Sequence, residues 1–213
     1  EVQSGGENRI VIFPGANEKI TPDKIEKFMD RYEHSIEIML IQNEIPRESI
    51  KKAIEQARKS GKTIVYDPAP KENTAVEYLP GIDFLTPNET EFEYLYTLCG
   101  GTEKTSIEKK ALWFKKHVQV KNLILKQGSK GSLFVGEDGK IIFTPAFKVD
   151  SIDSTAAGDI FNAAFAVKYG LSKNIEESLV YASAASAISV TRKGAQSSIP
   201  TDQEVIELIR THT

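Results

Sequence analysis

The chain has 213 residues, 40% of them hydrophobic and 27% charged, with a formal net charge of -3. This length supports one sizeable core, and the charge gives no electrostatic basis for a nucleic-acid or anionic-membrane partner. No apolar run reaches the roughly 18 to 20 residues that cross a bilayer, the N-terminus lacks a signal peptide's basic and apolar regions, and Cys99 is the only cysteine, which together predict a globular cytoplasmic protein.

Short β-branched runs alternate with helical patterns along most of the chain. This alternation predicts an α/β fold in which a mainly parallel sheet is covered on both faces. The predicted strands cover residues 9–13, 36–41, 63–66, 82–85, 122–126, 132–135 and 140–144. The predicted helices cover residues 22–32, 46–60, 89–98 and 106–117, and three more follow residues 147–150.

Turn and capping residues mark several boundaries of these elements. The Asp-Gly pair within residues 136–139 predicts a hairpin, so the sheet is expected to turn antiparallel there. Asn174 with Glu177, and Thr201 with Glu204, have the spacing of helix-capping pairs. The chain shows no internal repeat and no interdomain linker, which favours one domain.

Five polar loops follow predicted strands or precede a predicted helix. In open α/β sheets, ligands bind beyond the carboxyl ends of the strands, so these loops are expected to meet around a ligand. The loops contain Glu44, residues 67–70, residues 88–91, residues 128–131 and Asp153.

Residues 153–159 combine small side chains with glycine at the start of a predicted helix. Such a start leaves backbone N–H groups free, and we expect those of Ala156, Ala157 and Gly158 to form an anion hole. Asp159 adds a carboxylate that can accept a proton beside this anion site. The alternative is that Asp159 serves only helix capping and the helix dipole.

Residues 153–159 and 184–198 together resemble, in order and spacing, two signature segments of the ribokinase branch of the PfkB carbohydrate kinases. The resemblance implies a ribokinase-like three-layer αβα fold with a mainly parallel central sheet. It also implies an ATP-dependent sugar kinase that phosphorylates the primary hydroxyl of a pentose, namely D-ribose, to give ribose 5-phosphate. Asp159 would be the catalytic base and would contact the sugar.

The same resemblance implies a magnesium site at Asn88 and Glu91, which match the family's Asn-x-x-Glu motif and would hold Mg²⁺ through water. The alternative is a capping box, because the same spacing serves that geometry equally well. The residues implied for nucleotide binding are Asn88, Lys126, Gln127, Gly128, Ser129, Lys130, Gly131, Gly158 and Ser183. Without the resemblance, Gly-x-x-Gly before a strand is more often a simple turn.

Two further sites rest on the resemblance. Glu44 occupies the place of a glutamate that binds sugar hydroxyls, although it could equally be an acidic residue near a helix start. A potassium ion would be surrounded by Asp153, Thr155, Ser189, Arg192, Gly194 and Ser198, several of them through main-chain carbonyls. Read without the resemblance, residues 192–194 are a basic helix end followed by a glycine stop.

The resemblance begins about a third of the way into the family pattern. Residues 1–17 resemble the last part of the lid region, and residues 18–213 the nucleotide-binding α/β domain. The N-terminal strand and most of the lid, through which the family commonly forms homodimers, have no counterpart. We therefore expect a fragment or truncated homologue that keeps the residues for ATP and Mg²⁺ but lacks many of the residues that bind the sugar. We also expect its sheet to have an exposed edge and an uncovered apolar face.

The sequence leaves two alternatives to a pentose kinase and disfavours a third. One is a nucleotide-binding or interaction module without catalysis, which the missing sugar-side segment favours. Another is a PfkB kinase for a different sugar or for a nucleoside. An NAD-dependent dehydrogenase is disfavoured, because no Gly-x-Gly-x-x-Gly opens a helix after the first predicted strand.

Overall fold

The computed structural model describes residues 13–212. Strands and helices alternate along the first part of this range, and helices alone fill its last third. The strands are β1 (Ile38–Gln42), β2 (Thr63–Asp67), β3 (Phe84–Leu85), β4 (Asn122–Lys126), β5 (Gly131–Val135) and β6 (Ile141–Pro145). The helices are α1 (Pro22–Tyr32), α2 (Arg47–Lys59), α3 (Glu89–Leu98), α4 (Ile107–Val118), α5 (Ala157–Ser172), α6 (Ile175–Val190) and α7 (Asp202–His212).

The strands form one six-stranded sheet in the order β1-β2-β3-β4-β5-β6. The strands from β1 to β4 are parallel, while β4, β5 and β6 pair antiparallel. The predicted hairpin at residues 136–139 joins β5 to β6. The mainly parallel sheet and its antiparallel end are therefore confirmed.

Hydrophobic clusters on both faces of the sheet produce a three-layer αβα arrangement. Because side chains alternate along a strand, Ile64 and Tyr66 of β2 belong to one cluster and Val65 to the other. The first cluster includes residues of α2, α3 and α4, and the second includes Phe165 of α5 and Leu179 of α6. Helix α7 packs on α6 through a smaller cluster around Val205.

β1 is the edge of the described sheet, and its Leu40 is 40% exposed. The predicted strand over residues 9–13 lies outside the described residues except for Phe13, which is not in a strand. The division proposed at residue 17 stays a prediction. Within residues 13–212, no helix combines the length and apolar character needed to cross a membrane.

Most element boundaries match the predictions within one or two residues, and β3 has half its predicted length. The predicted strand covered residues 82–85, whereas β3 contains only Phe84 and Leu85. The Asp83 side chain accounts for this shortening, because its Oδ2 accepts a hydrogen bond at 2.8 Å from the Ile64 amide of β2. The Asp83 carboxylate thus accepts the hydrogen bond that a backbone carbonyl of the neighbouring strand would otherwise accept.

Phe165 provides a test of the second cluster. Its side chain is fully buried, and its ring centroid lies 5.0 Å from that of Phe84. We expect Phe165→Ala to lower the free energy of unfolding by about 3 to 5 kcal/mol, because it leaves a cavity. Val167→Ala, in the same helix at a 60% exposed position, should change it by less than about 0.5 kcal/mol. Urea denaturation of both variants measures this, and similar losses would contradict the packing described.

Candidate active site

A cavity of about 630 Å³ lies where β2 and β4 end and α5 begins. This volume falls within the range of small-molecule sites. Eleven of the residues predicted for the site line the cavity, as does Asp67, which was not predicted to bind a ligand. The predicted residues in the lining are Asn88, Glu91, Lys126, Gly128, Ser129, Gly131, Ala156, Ala157, Gly158, Asp159 and Ser183.

The start of α5 presents free backbone amides to this cavity. The Ala157 amide donates to the Ser154 carbonyl at 3.2 Å, but the amides of Gly158 and Asp159 have no hydrogen-bond partner within residues 13–212. Ala156, which precedes the helix, has φ +61°. Non-glycine residues rarely adopt this left-handed conformation, and it is often found at functional sites.

Asp159 lies in the first turn of α5 with an exposed side chain. Its Oδ1 accepts a hydrogen bond of 2.5 Å from Nε2 of Gln42, the last residue of β1. Among the described residues, its other carboxylate oxygen makes no hydrogen bond. One oxygen is therefore held while the other is free to accept a proton.

Asn88 and Glu91 form a complete capping box at the start of α3. Asn88 Oδ1 accepts from the Glu91 amide at 2.9 Å, and Glu91 Oε2 accepts from the Asn88 amide at 2.7 Å. Glu91 is only 8% exposed, and this burial raises the pKa of its carboxyl group above the ordinary value. The capping interpretation is thus observed, and the same two side chains also line the cavity.

Only some of the residues at the end of β4 and in the loop that follows it line the cavity. Lys126, Gly128, Ser129 and Gly131 line it, whereas Gln127 is buried and its amide donates to the Gly131 carbonyl at 2.8 Å. Gly131 has φ +118°, and a Cβ there would lie 2.0 Å from the Thr144 carbonyl oxygen, so only glycine fits.

Of the two other residues predicted to bind the nucleotide, Lys130 and Ser183, one lies outside the cavity and one lines it. Lys130 is directed to Glu89, with Nζ 2.9 Å from Oε1, and does not line the cavity. Ser183 does line it, and its hydroxyl donates to the Pro145 carbonyl at 3.3 Å.

Three residues of the predicted potassium site, Asp153, Thr155 and Gly194, are joined by hydrogen bonds to the Asp153 side chain. Its carboxylate accepts from the amides of Thr155 and Gly194 at 2.9 and 3.0 Å. These backbone hydrogen bonds, that of Gly194 foremost, lower the pKa of Asp153 to about 2. The Arg192 side chain pairs with Glu204 of α7, and the hydroxyls of Ser189 and Ser198 donate to nearby carbonyls.

Glu44 is exposed and does not line the cavity that contains Asp159. It lines a second cavity of about 350 Å³ beside β1, together with Gln42. Because Gln42 also donates to Asp159, this glutamine connects the two cavities. The prediction from sequence missed the connection, since nothing local marks Gln42 as a partner of Asp159.

Asp67 at the end of β2 is the most buried charged side chain at the cavity, with 2% exposure. Its Oδ2 lies 3.0 Å from Lys126 Nζ and accepts a hydrogen bond of 2.5 Å from Asn162 of α5. Burial raises the pKa of Asp67, and the charge of Lys126 opposes that rise. The sequence offered one signal, namely that Asp67 begins a predicted site loop.

The side-chain oxygens of Asn88 and Glu91 at the cavity are suited to a hard cation held through water. Within residues 13–212, no group of three or more His, Cys, Asp or Glu side chains is arranged to hold a metal ion. Mg²⁺ commonly binds through one or two carboxylates, water and substrate phosphates rather than in an all-protein cage. The Asn88 and Glu91 oxygens at the cavity fit that form of binding.

Comparison with known proteins identifies the family. Residues 1–202 match the model of the pfkB family of carbohydrate kinases. The chain is 36% identical to the ribokinase of Haemophilus influenzae, covering 98% of this chain and 67% of that protein. The solved ribokinase of Thermotoga maritima is 42% identical, with a TM-score of 0.84. The Arabidopsis thaliana ribokinase, solved with ribose and ATP, is 33% identical with a TM-score of 0.82. Each structural match covers 98% of this chain and 67% of the other chain.

The chain therefore belongs to the pfkB family of carbohydrate kinases. Membership of this family indicates a phosphotransferase that acts on a sugar hydroxyl, and the three-layer fold agrees with the ribokinase structures. The chain spans about two thirds of the length of the relatives it matches.

Gly158 offers a test of the proposed anion site. Outside its own helix, the one atom of residues 13–212 within 4 Å of a Cβ there is Lys126 Nζ, at 3.5 Å. We expect Gly158→Ala to leave the free energy of unfolding unchanged or raise it by up to about 1 kcal/mol, as alanine favours helices. The added methyl group should lower ATP affinity by about tenfold or more, because it stands where the anion would approach. Thermal unfolding and calorimetric titration measure the two effects.

Gly170→Ala is the matched control, since it makes the same change in α5 away from the cavity. Its Cβ would lie 3.4 Å from Ile38 Cδ1, an ordinary contact. ATP affinity should stay the same in this variant. Unchanged ATP affinity in Gly158→Ala would exclude the start of α5 as the phosphate site.

Proposed function

We propose that this chain carries the phosphoryl-transfer site of an ATP-dependent pentose kinase, with D-ribose as the acceptor. The observation that supports the proposal best is at the start of α5. There, a carboxylate oxygen of Asp159 stands beside the amides of Gly158 and Asp159, and none of these groups has a hydrogen-bond partner within residues 13–212. A proton acceptor next to an anion site is the arrangement that phosphoryl transfer to an alcohol needs.

Asp159 and the amides at the start of α5 have different roles in the proposed phosphoryl transfer. Asp159 takes the proton of the sugar's primary hydroxyl, whose oxygen then forms a bond to the γ-phosphorus of ATP. The bond from that phosphorus to the β–γ bridging oxygen breaks, and ADP leaves. The anion hole is predicted at the amides of Ala156, Ala157 and Gly158. Those of Ala156 and Gly158 have no hydrogen-bond partner within residues 13–212 and would stabilise the negative charge on the moving phosphoryl group, whereas the Ala157 amide would first have to leave the Ser154 carbonyl.

The nucleotide is proposed to occupy the larger cavity. Lys126, Gly128, Ser129 and Gly131 would contact it from the β4 side, and Ser183 from α6. Supporting this placement, Phe147 and Val149 add apolar surface to the cavity wall, which suits the face of a base. Asn88 and Glu91 would hold Mg²⁺ through water, and bound Mg²⁺ would offset the charge of the phosphates.

The choice of D-ribose rests on the relatives, which include a ribokinase solved with ribose and ATP. Glu44 would bind sugar hydroxyls from the second cavity, on the other side of Gln42 from Asp159. Reduced sugar binding and a cytoplasmic location stay predictions.

The alternative of a nucleotide-binding module is tested by offering the chain ATP, Mg²⁺ and a panel of sugars and nucleosides. Phosphorylation of ribose supports the proposal, and phosphorylation of a different acceptor alone would support a kinase of other specificity. ATP binding with no transfer to any acceptor would support the module.

Replacing the base gives the sharpest test of catalysis. We expect Asp159→Asn to lower turnover by about two orders of magnitude or more, because an amide cannot accept the hydroxyl proton. ATP affinity should change by less than about threefold. Coupled assays of ADP release and calorimetric titration of ATP measure the two quantities.

Asp30→Asn is a suitable control, because Asp30 is exposed on α1 and lies outside both cavities. Its turnover should equal that of the unaltered protein. Near-normal turnover in Asp159→Asn would remove Asp159 from the role of base.

A potassium requirement is proposed because Asp153 links the loop before α5 to Gly194, so a cation among these oxygens would order the anion site. We expect turnover in KCl to exceed that in NaCl at equal ionic strength by about fivefold or more. Asp153→Asn should lose this difference, and Asp30→Asn should keep it. Equal rates of the unaltered protein in the two salts would contradict the requirement.

A further inference from the structure

The Asp67–Lys126 ion pair lies in the lining of the larger cavity and joins distant parts of the chain. Lys126 Nζ is 3.0 Å from Asp67 Oδ2, and their side chains are 13% and 3% exposed. Asn162 of α5 donates to the same Asp67 oxygen at 2.5 Å. The pair is thus fixed from three elements, β2, β4 and α5.

The ammonium group of Lys126 also lies at the start of α5. A Cβ on Gly158 would be 3.5 Å from Lys126 Nζ, so the ammonium packs directly against the helix's first turn. Both residues line the cavity. A fixed positive charge therefore stands beside the Gly158 amide of the proposed phosphate site.

Stability alone is a weak explanation for this pair. Removing two charges from water is costly, and well-packed apolar residues often replace a buried ion pair without loss of stability. Around this pair, the buried Oδ1 atoms of Asp67 and Asn162 have no hydrogen-bond partners among the described residues. Such atoms add to the cost of burial, which is easier to understand where the arrangement serves a ligand.

We infer that Asp67 is a positioning residue that holds the Lys126 ammonium against the first turn of α5, where it contacts the β- and γ-phosphates of the bound nucleotide. The inference rests on the proposed function, since it requires ATP at this site. Asn162 would keep Asp67 in place. In the absence of Asp67, the long lysine side chain would keep its charge but lose its fixed direction.

The test compares the affinities for ATP and AMP, because only ATP carries the phosphates that Lys126 would contact. The readout is the Kd for AMP divided by the Kd for ATP. A partly unfolded sample affects both constants alike, so the ratio reports on phosphate contacts rather than on stability. Calorimetric titration with Mg²⁺ present gives both constants.

The double variant Asp67→Leu/Lys126→Met removes the pair without leaving a buried charge, so it should fold. We expect its ratio to fall by about tenfold or more, because a charge-assisted contact to phosphate is lost. Asp67→Asn keeps Lys126 but removes the charge that directs it, and its ratio should fall by about threefold. Circular dichroism verifies the fold of each variant.

Lys140→Met/Glu176→Leu is the matched control, because it removes an exposed lysine–glutamate pair, with a 2.6 Å contact, outside the cavity. Its ratio should stay within about twofold of the original. An unchanged ratio in the folded double variant would overturn the inference, while ATP binding by the unaltered chain would leave the proposed function standing.

Two other outcomes are also decisive. A reduced ratio in the double variant with an unchanged ratio in Asp67→Asn would overturn the positioning role of Asp67. Failure of the unaltered chain to bind ATP would overturn the proposed function, and the inference with it.

Discussion

The contact between Asp67 and Lys126 determines how the cavity is built. These residues end β2 and β4, which lie on either side of β3, and their side chains meet because β3 stops at Leu85. Asn162 adds α5 to the contact, because α5 packs on the face of the sheet to which both side chains point. The ends of two strands and the first turns of one helix are therefore fixed relative to one another, and site residues on such rigid elements keep their geometry better than residues on loops.

Helix α5 combines a stable part with a strained one. Phe161 and Phe165 are buried in the second hydrophobic cluster and hold the helix on the sheet. At its start, Ala156 has a positive φ, and Gly158 takes a helical position that alanine would favour. Unfavourable local choices of this kind are typical of functional sites, where exposed amides matter more than local stability. The packed aromatic residues compensate for them elsewhere in the same helix.

Local sequence patterns predicted the elements well but not the contacts between them. The Asn88–Glu91 capping box and the hairpin at residues 136–139 depend on neighbouring residues, and both were visible in the sequence. The Asp67–Lys126 and Gln42–Asp159 contacts join residues 59 and 117 positions apart, and depend on strand order and register. The short β3 was also unpredictable, because a side chain rather than the backbone ends its ladder. The sequence therefore indicated which loops meet, but not which side chains hold one another.

The capping box at α3 shows why a structural role and a functional role need not compete. The Glu91 carboxylate accepts hydrogen bonds from the backbone and side-chain nitrogens of Asn88, at 2.7 and 2.8 Å. These bonds hold it in one orientation at the cavity wall, where reaching a metal through water requires no change of rotamer. An unrestrained glutamate would first have to give up side-chain freedom. The cap that stabilises the helix is thus also what would prepare the carboxylate for a hydrated cation, so observing the cap supports the proposed magnesium site.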